Sequence, residues 1–181
     1  MTAEALDDYE TGLLYLIIED QGQTDFAFLA PLIKEQSLAS VLLTQATEAT
    51  AVLALKTCRD LDVPLLIEDD VDLAKKIGAD GVHLVNPKAL TFARNTLAED
   101  AVVGVSCGPT RHEAMELGEQ EPDYILFGGY AADQDPAPVD QDLVAWWLEM
   151  MEIPIVAVAR TDDETKQLRL IDCDFIGRFA S

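Results

Sequence analysis

Pro64-Leu65-Leu66-Ile67-Glu68-Asp69-Asp70-Val71-Asp72-Leu73-Ala74-Lys75-Lys76-Ile77-Gly78-Ala79-Asp80-Gly81-Val82-His83-Leu84 carries a whole strand–helix–strand unit. The run Leu65–Ile67 is apolar throughout and follows a proline, which suits a short strand. Acidic residues then open a very short helix from Val71 to Ile77, and Gly78 stops it. Gly81–Leu84 is the next strand. Neither strand alternates polar with apolar residues, as expected of parallel strands covered on both faces.

The same unit recurs in both directions. Upstream, Leu13–Ile18 reads as a first strand, and Phe26, Leu29 and Ile33 then keep helical spacing. Val41–Leu43 is a second strand, followed by a helix from Ala49 to Asp60. Downstream, a helix over Pro87–Leu97 leads to a strand at Val102–Val105, and Thr110-x-x-Glu113 is a capping box for the next helix. Tyr124–Phe127 is a sixth strand, and a polar loop over Ala131–Val139 precedes a helix around Trp146. Ile155–Val158, a helix near Thr165–Leu170 and a last strand at Phe175–Gly177 complete the series.

Eight strands with seven intervening helices predict an α/β fold, a (β/α)8 barrel in preference to a doubly wound sheet. At 181 residues the chain is shorter than such barrels usually are, so the expectation is a trimmed barrel lacking the helix after the last strand. One domain over residues 1–181 is expected.

Composition narrows the partners. The net charge is −22, which argues against nucleic acid or an anionic membrane as partner. No apolar stretch is long enough to span a bilayer and no signal peptide opens the chain, so a cytoplasmic location is expected. Cys58, Cys107 and Cys173 are far apart and make no metal-binding spacing, which fits a reducing compartment. The acid excess suits either a salt-rich habitat or simple solubility. An anionic substrate would need a metal ion or a local cationic pocket.

The stretches PLLIEDDVDLA (64–74) and GADGVHL (78–84) resemble the thiamine-phosphate synthase family, which also includes thiazole tautomerases. Gly104-Val105-Ser106, Asp123–Gly128 and Pro154–Val158 resemble that family's fifth, sixth and seventh strands in order. The resemblance runs from about Leu13 to Phe179 and implies a (β/α)8 barrel. It implies an activity as well: joining a hydroxymethylpyrimidine diphosphate to a thiazole phosphate with Mg2+, releasing pyrophosphate.

Position by position, the family's site is only partly kept. Asp69 matches the magnesium aspartate, and Glu68 replaces the amide before it. The second acidic ligand falls at Lys88. Where the family carries a Gln-x-Arg-Glu-Lys run for the diphosphate, Leu42–Ala46 has no charge. Ser106 is retained, and Gly128 closes the sixth strand. The Thr-x-Thr-Lys loop becomes Tyr130–Asp133, and the tautomerase histidine falls at Gly129. The glycine pair after strand seven becomes Ala159-Arg160, and the serine after strand eight becomes Ala180. The resemblance thus marks Glu68, Ser106, Gly128 and Arg160 as ligand-binding positions and Asp69 as the metal position.

Each has a simpler reading beside it. Asp70 and Asp72 suit a helix first turn. Arg160 could rebuild an anion site or pair with Asp162 or Asp163. Arg178 interrupts the last strand and suits a structural role. His83 reads as a hydrogen-bonded core residue and His112 as surface. Ser106-Cys107 has no His or Asp beside it in sequence to make a nucleophile. Of Trp146 and Trp147 only one can face the sheet, leaving the other for a partner chain, as in a homo-oligomer. Three functions follow: a family member with a degenerate site that binds a phosphorylated or heterocyclic small molecule, an active transferase with a rebuilt phosphate site, or a non-catalytic scaffold.

Overall fold

The strands close on themselves. In the computed structural model, which describes residues 12–35, 37–129 and 138–180, β1 (Leu13–Glu19), β2 (Leu38–Thr44), β3 (Leu65–Glu68), β4 (Gly81–Leu84), β5 (Val102–Ser106), β6 (Tyr124–Phe127), β7 (Ile155–Val158) and β8 (Phe175–Phe179) follow one another around a closed parallel barrel. Helices α1 (Leu29–Glu35), α2 (Glu48–Asp60), α3 (Val71–Ile77), α4 (Leu90–Thr96), α5 (Arg111–Gly118), α6 (Gln141–Met150) and α7 (Asp162–Leu170) connect them. β8 pairs back to β1 with Leu13 opposite Phe175 and Ile17 opposite Phe179.

Two shells of apolar side chains explain why the strands show no alternation. Leu14, Leu16, Ile18, Leu65, Ile67 and Val82 face outward against the helices. Tyr15, Ile17, Leu42, Leu66, Tyr124, Leu126, Val156 and Val158 fill the barrel. A strand apolar on both faces carries no period-2 signal.

The N-terminal ends of the strands are tied by three equivalent aspartates. Asp80 Oδ2 accepts the Leu65 N–H at 2.8 Å, Asp123 Oδ2 the Val103 N–H at 2.6 Å, and Asp174 Oδ2 the Ile155 N–H at 3.0 Å. Each stands immediately before an even-numbered strand and holds the first turn of its odd-numbered neighbour, so part of the acid content is structural.

The helix ends follow local chemistry. Gly78 takes the left-handed C-cap of α3 at φ 71°, and Asp70 Oδ1 accepts the Leu73 N–H as its N-cap. The Thr110–Glu113 capping box is made, and Thr161 and Glu164 make a second one. That second box starts α7 at Asp162, three residues before the expected Thr165. The expected helix over Pro87–Leu97 divides into a 3-10 turn at Pro87–Ala89 and α4, because Asn86 caps the turn through the Lys88 N–H. The expected loop over Ala131–Val139 lies largely outside the described residues. Among the described residues, no helix is long and apolar enough to cross a membrane.

Candidate functional site

The C-terminal ends of the strands gather the polar residues. Strand alternation turns Glu68, His83 and Ser106 toward the barrel axis and the mouth. Glu68 stands beside His83 in the β3–β4 register. Three connections leave the strands with φ in the left-handed region, at Gln45 (53°), Asp69 (51°) and Gly128 (93°). Asparagine, aspartate and glycine tolerate that region best.

Asp69 is held by the neighbouring strand. Its N–H donates to the His83 carbonyl at 2.9 Å, and its Oδ1 accepts the Val85 N–H at 2.8 Å. Beside it the surroundings are acidic. Glu68 Oε2 accepts the Gln45 N–H at 3.3 Å, and the Gln45 side-chain amide donates to Glu19 Oε1 at 3.0 Å. Asp20 Oδ2 accepts the Thr47 N–H at 2.8 Å, and such hydrogen bonds hold the Asp20 carboxyl below its usual value despite the opposing effect of desolvation.

Beneath this mouth runs a buried chain of hydroxyls and one imidazole. The Tyr15 and Tyr124 hydroxyls are 2.6 Å apart, Tyr124 Oη is 2.8 Å from His83 Nδ1, and His83 Nε2 is 2.9 Å from Ser106 Oγ. The Tyr124 ring also stacks on His83 at 5.6 Å. Burial makes His83 harder to protonate, taking its pKa from 6.5 to about 3. Burial likewise pushes the Tyr15 phenol up, opposed by its bond to Tyr124 and reinforced by the nearby charge of Glu68. The core reading of His83 is therefore right.

Structure does bring a histidine beside Ser106, which sequence order hid. It still makes no activated nucleophile, because an imidazole held near pKa 3 is a poor base at neutral pH. Cys107 is no better placed, since burial raises its thiol to about 12.

Arg160 follows β7 at the other side of the mouth. The expected ion pair with Asp162 or Asp163 is not formed: Asp162 pairs with Arg178 at 3.1 Å and Asp163 with Lys166 at 3.2 Å. Arg160 donates instead to the Gly129 carbonyl and lies over the Phe179 ring at 5.6 Å. This brings Arg160 to the end of β6, next to Gly128. Arg178 also donates to Thr165 Oγ1 at 2.6 Å, a structural tie from β8 to α7. Trp147 is buried, and the half-buried Trp146 lies under the Arg111 guanidinium at 4.9 Å. Lys88 is exposed at the Asn86 turn, and His112 is exposed on α5.

Whether the mouth suits magnesium depends on its donors. Among the described residues, no group of three or more His, Cys, Asp or Glu is placed to hold a metal ion. Asp69 alone fits an ion delivered with a diphosphate, where phosphate and water oxygens complete the shell. These residues do not make a site for a resident ion.

Residues 15–177 match the family model described as thiamine monophosphate synthase. The chain belongs to that family. Thiamine-phosphate synthase family members similar to it include the enzymes of Rhodospirillum centenum, 36% identical over 134 residues (70% of this chain, 65% of that protein), and Erythrobacter litoralis, 38% identical over 129 residues (66% and 59%). The matched stretch thus spans less than two thirds of either relative. Among solved structures, thiamine phosphate pyrophosphorylase from Pyrococcus furiosus superposes with a TM-score of 0.73 at 20% identity, covering 92% of this chain and 85% of that one. A tryptophan synthase alpha-subunit from the same organism gives 0.71 at 12% identity, over 94% and 88%. Those two likenesses show the barrel alone.

The thiamine monophosphate synthase frame makes the unforeseen residues easier to place. Tyr15, Tyr124 and His83 join Ser106 through contacts far apart in sequence. One signal pointed to them: Gly104, a glycine inside a strand, where another group approaches closely. A Cβ at Gly104 would overlap the Tyr124 ring.

Proposed function

We propose that this chain is a cytoplasmic, single-domain family member that binds a phosphorylated heterocycle of the thiamine pathway at the barrel mouth, with synthase activity reduced or lost. The observation supporting this is the Gln45 bridge between Glu19 and Glu68. Where the resemblance implies cations for a diphosphate, two carboxylates stand instead, joined through an uncharged amide. Each missing charge-assisted contact is worth about 1.5–3 kcal/mol. Two such losses felt in the transition state would slow the reaction about 10²- to 10⁴-fold.

The retained parts divide the ligand between them. Arg160 meets a single phosphate beside Gly128, with its guanidinium already oriented by the Gly129 carbonyl and the Phe179 ring. Ser106 and Glu68 meet the polar edge of the ring. Asp69 is the position for Mg2+, which when bound with a diphosphate would neutralise departing negative charge.

The test is calorimetric titration with thiamine phosphate beside an assay of thiamine phosphate formation from the pyrimidine diphosphate, the thiazole phosphate and magnesium. Saturable binding with product formation at least a hundredfold below that of a motif-complete synthase is expected. Turnover matching such a synthase would overturn the reading in favour of a rebuilt site. No binding and no turnover would favour a scaffold.

A further inference from the structure

Charge is unevenly spread over the outer helices. Between Arg111 and Arg160 the chain has eleven Asp or Glu and no Lys or Arg, whereas Lys56, Arg59, Lys75 and Lys76 are four of its twelve basic residues. The first stretch holds most of α5 and all of α6, and the second runs from α2 to the end of α3. In a chain of net charge −22, the α2–α3 side is where an acidic surface meets least repulsion.

That side carries a groove of about 420 Å³, with Val52, Leu55 and Ile77 as its apolar part and Lys56, Arg59 and Lys76 beside them. Two ties fix the spacing of its walls: Lys76 pairs with Glu48 at 2.6 Å, and Arg59 donates to the Gly78 carbonyl at 2.9 Å. Glu48 and Asp60 also line the groove, so three cations against two carboxylates leave it one net positive charge. Val52 stays 49% exposed there.

The α5–α6 side has the converse form. Helices of a parallel barrel run in one direction, so the 4.9 Å contact of Arg111 with Trp146 sets the level of α5 against α6. One turn further along each helix stand Met115 and Met150, side by side, 50% and 62% exposed. Glu116, Glu119, Glu149 and Glu152 surround this pair, and all four are exposed. Methionine side chains adapt to an irregular apolar recess.

We propose that a second copy of this chain docks on the α2–α3 groove, seating Met115 and Met150 on Val52, Leu55 and Ile77 and setting its glutamates against Lys56, Arg59 and Lys76. At about 0.15 M salt the Debye length is about 8 Å, so the repulsion between two −22 chains is screened beyond contact range while the local opposite charges still attract. Knob and groove lie on different helices of one chain, so the contact is head-to-tail and each docked copy offers a free groove or knob to the next. A contact of so few side chains gives weak association, with a Kd of about 10 µM to 1 mM. Nothing in this inference depends on the site at the barrel mouth.

Sedimentation velocity on the full chain at about 0.15 M salt, from about 1 µM to about 1 mM, tests the contact. The expected mass rises with concentration and passes that of two chains. Val52→Glu and Met150→Glu alter exposed residues, so each should keep the urea midpoint of the unaltered protein, and Lys56→Glu serves as a second groove variant. Each alone should weaken association at least about tenfold, leaving single chains at concentrations where the unaltered protein associates. In an equal mixture, Val52→Glu supplies an intact knob and Met150→Glu an intact groove, so a complex of two chains and nothing larger should form. A single chain throughout the range would overturn the proposal, and so would association that either variant leaves unchanged. Variants that fail to restore each other on mixing would show that like surfaces pair with like, which would overturn it as well.

Discussion

Gly104 on β5 faces the ring of Tyr124 on β6 so closely that a methyl group does not fit between them. This absence of a side chain is what lets Tyr124 lie across the barrel axis and reach both Tyr15 and His83. Gly104→Ala therefore overfills the interior, at a cost of about 1–3 kcal/mol. Urea unfolding reads the loss. Near-UV circular dichroism should change as well, because the tyrosine must leave its place. An unchanged midpoint would mean that the barrel yields more readily than its packing suggests.

At the opposite end of the barrel, Asp123 Oδ2 accepts the Val103 N–H at 2.6 Å, as Asp80 and Asp174 do for their own neighbours. Asp123 also pairs with Arg94 at 2.8 Å. Asp123→Ala leaves a strand-start amide unpaired and is expected to cost about 1–3 kcal/mol in chemical denaturation. Asp123→Asn keeps an acceptor for Val103 and should recover most of it, since the ion pair to Arg94 is partly exposed and worth at most about 1 kcal/mol. Ligand binding at the distant mouth should be unaffected in both.

How far the sequence reveals these features depends on the range of the interaction. Gly78 at the end of α3 and Thr110-x-x-Glu113 at the start of α5 are local, and both are legible as written. The eight strands are legible from their apolar runs. Which of Leu14 and Tyr15 points inward is not, because both faces of β1 are buried and no alternation records the choice. The Tyr15–Tyr124 bond joins residues 109 apart and depends on barrel closure. Arg160 illustrates the same limit: Asp162 and Asp163 are near in sequence, but the capping box directs them along α7 and leaves the guanidinium to Gly129.

The buried His83 gives stability a sign with pH. Its folded pKa of about 3 lies below the ordinary 6.5, so between these values the unfolded chain binds the extra proton. Its contribution is present above about pH 6.5 and declines as pH falls toward 3. Between pH 6 and 5, a window above the ordinary carboxylate range, the slope approaches about 1.4 kcal/mol per pH unit. Urea midpoints measured at intervals across that window should fall with acidification. His83→Gln should remove the histidine share of the slope while lowering stability overall. An equally steep slope in the variant would mean that another group titrates there.

Arg160 lies over Phe179 and donates to Gly129, an arrangement that depends on a flat guanidinium. Arg160→Lys keeps the charge but loses the planar fork and the stacking. The expected result is a drop in the preference for thiamine phosphate over thiamine of about tenfold, roughly the 1.4 kcal/mol of one charge-assisted contact. Arg160 is exposed, so thermal stability should hardly move in the same variant. An undiminished preference would place the phosphate elsewhere.

Asp69 has an observed part in the turn and a proposed one in meeting a metal ion, and substitution can separate the two. Its backbone sits at φ 51°, and its Oδ1 accepts the Val85 N–H, so it shapes the turn between β3 and α3 whatever it binds. Asparagine tolerates the left-handed region and offers a carbonyl oxygen to the same amide. Asp69→Asn should therefore keep stability within about 0.5 kcal/mol, whereas Asp69→Ala loses the acceptor and takes on left-handed strain, costing about 1–3 kcal/mol. The two variants should agree in the property that depends on negative charge. On the proposed reading, any strengthening by magnesium of the binding of a diphosphate-bearing ligand should be lost in both, because both remove the carboxylate proposed to meet the ion. Calorimetric titrations with and without magnesium measure that difference. Magnesium enhancement surviving in Asp69→Asn would locate the ion on other groups and leave Asp69 a turn residue only.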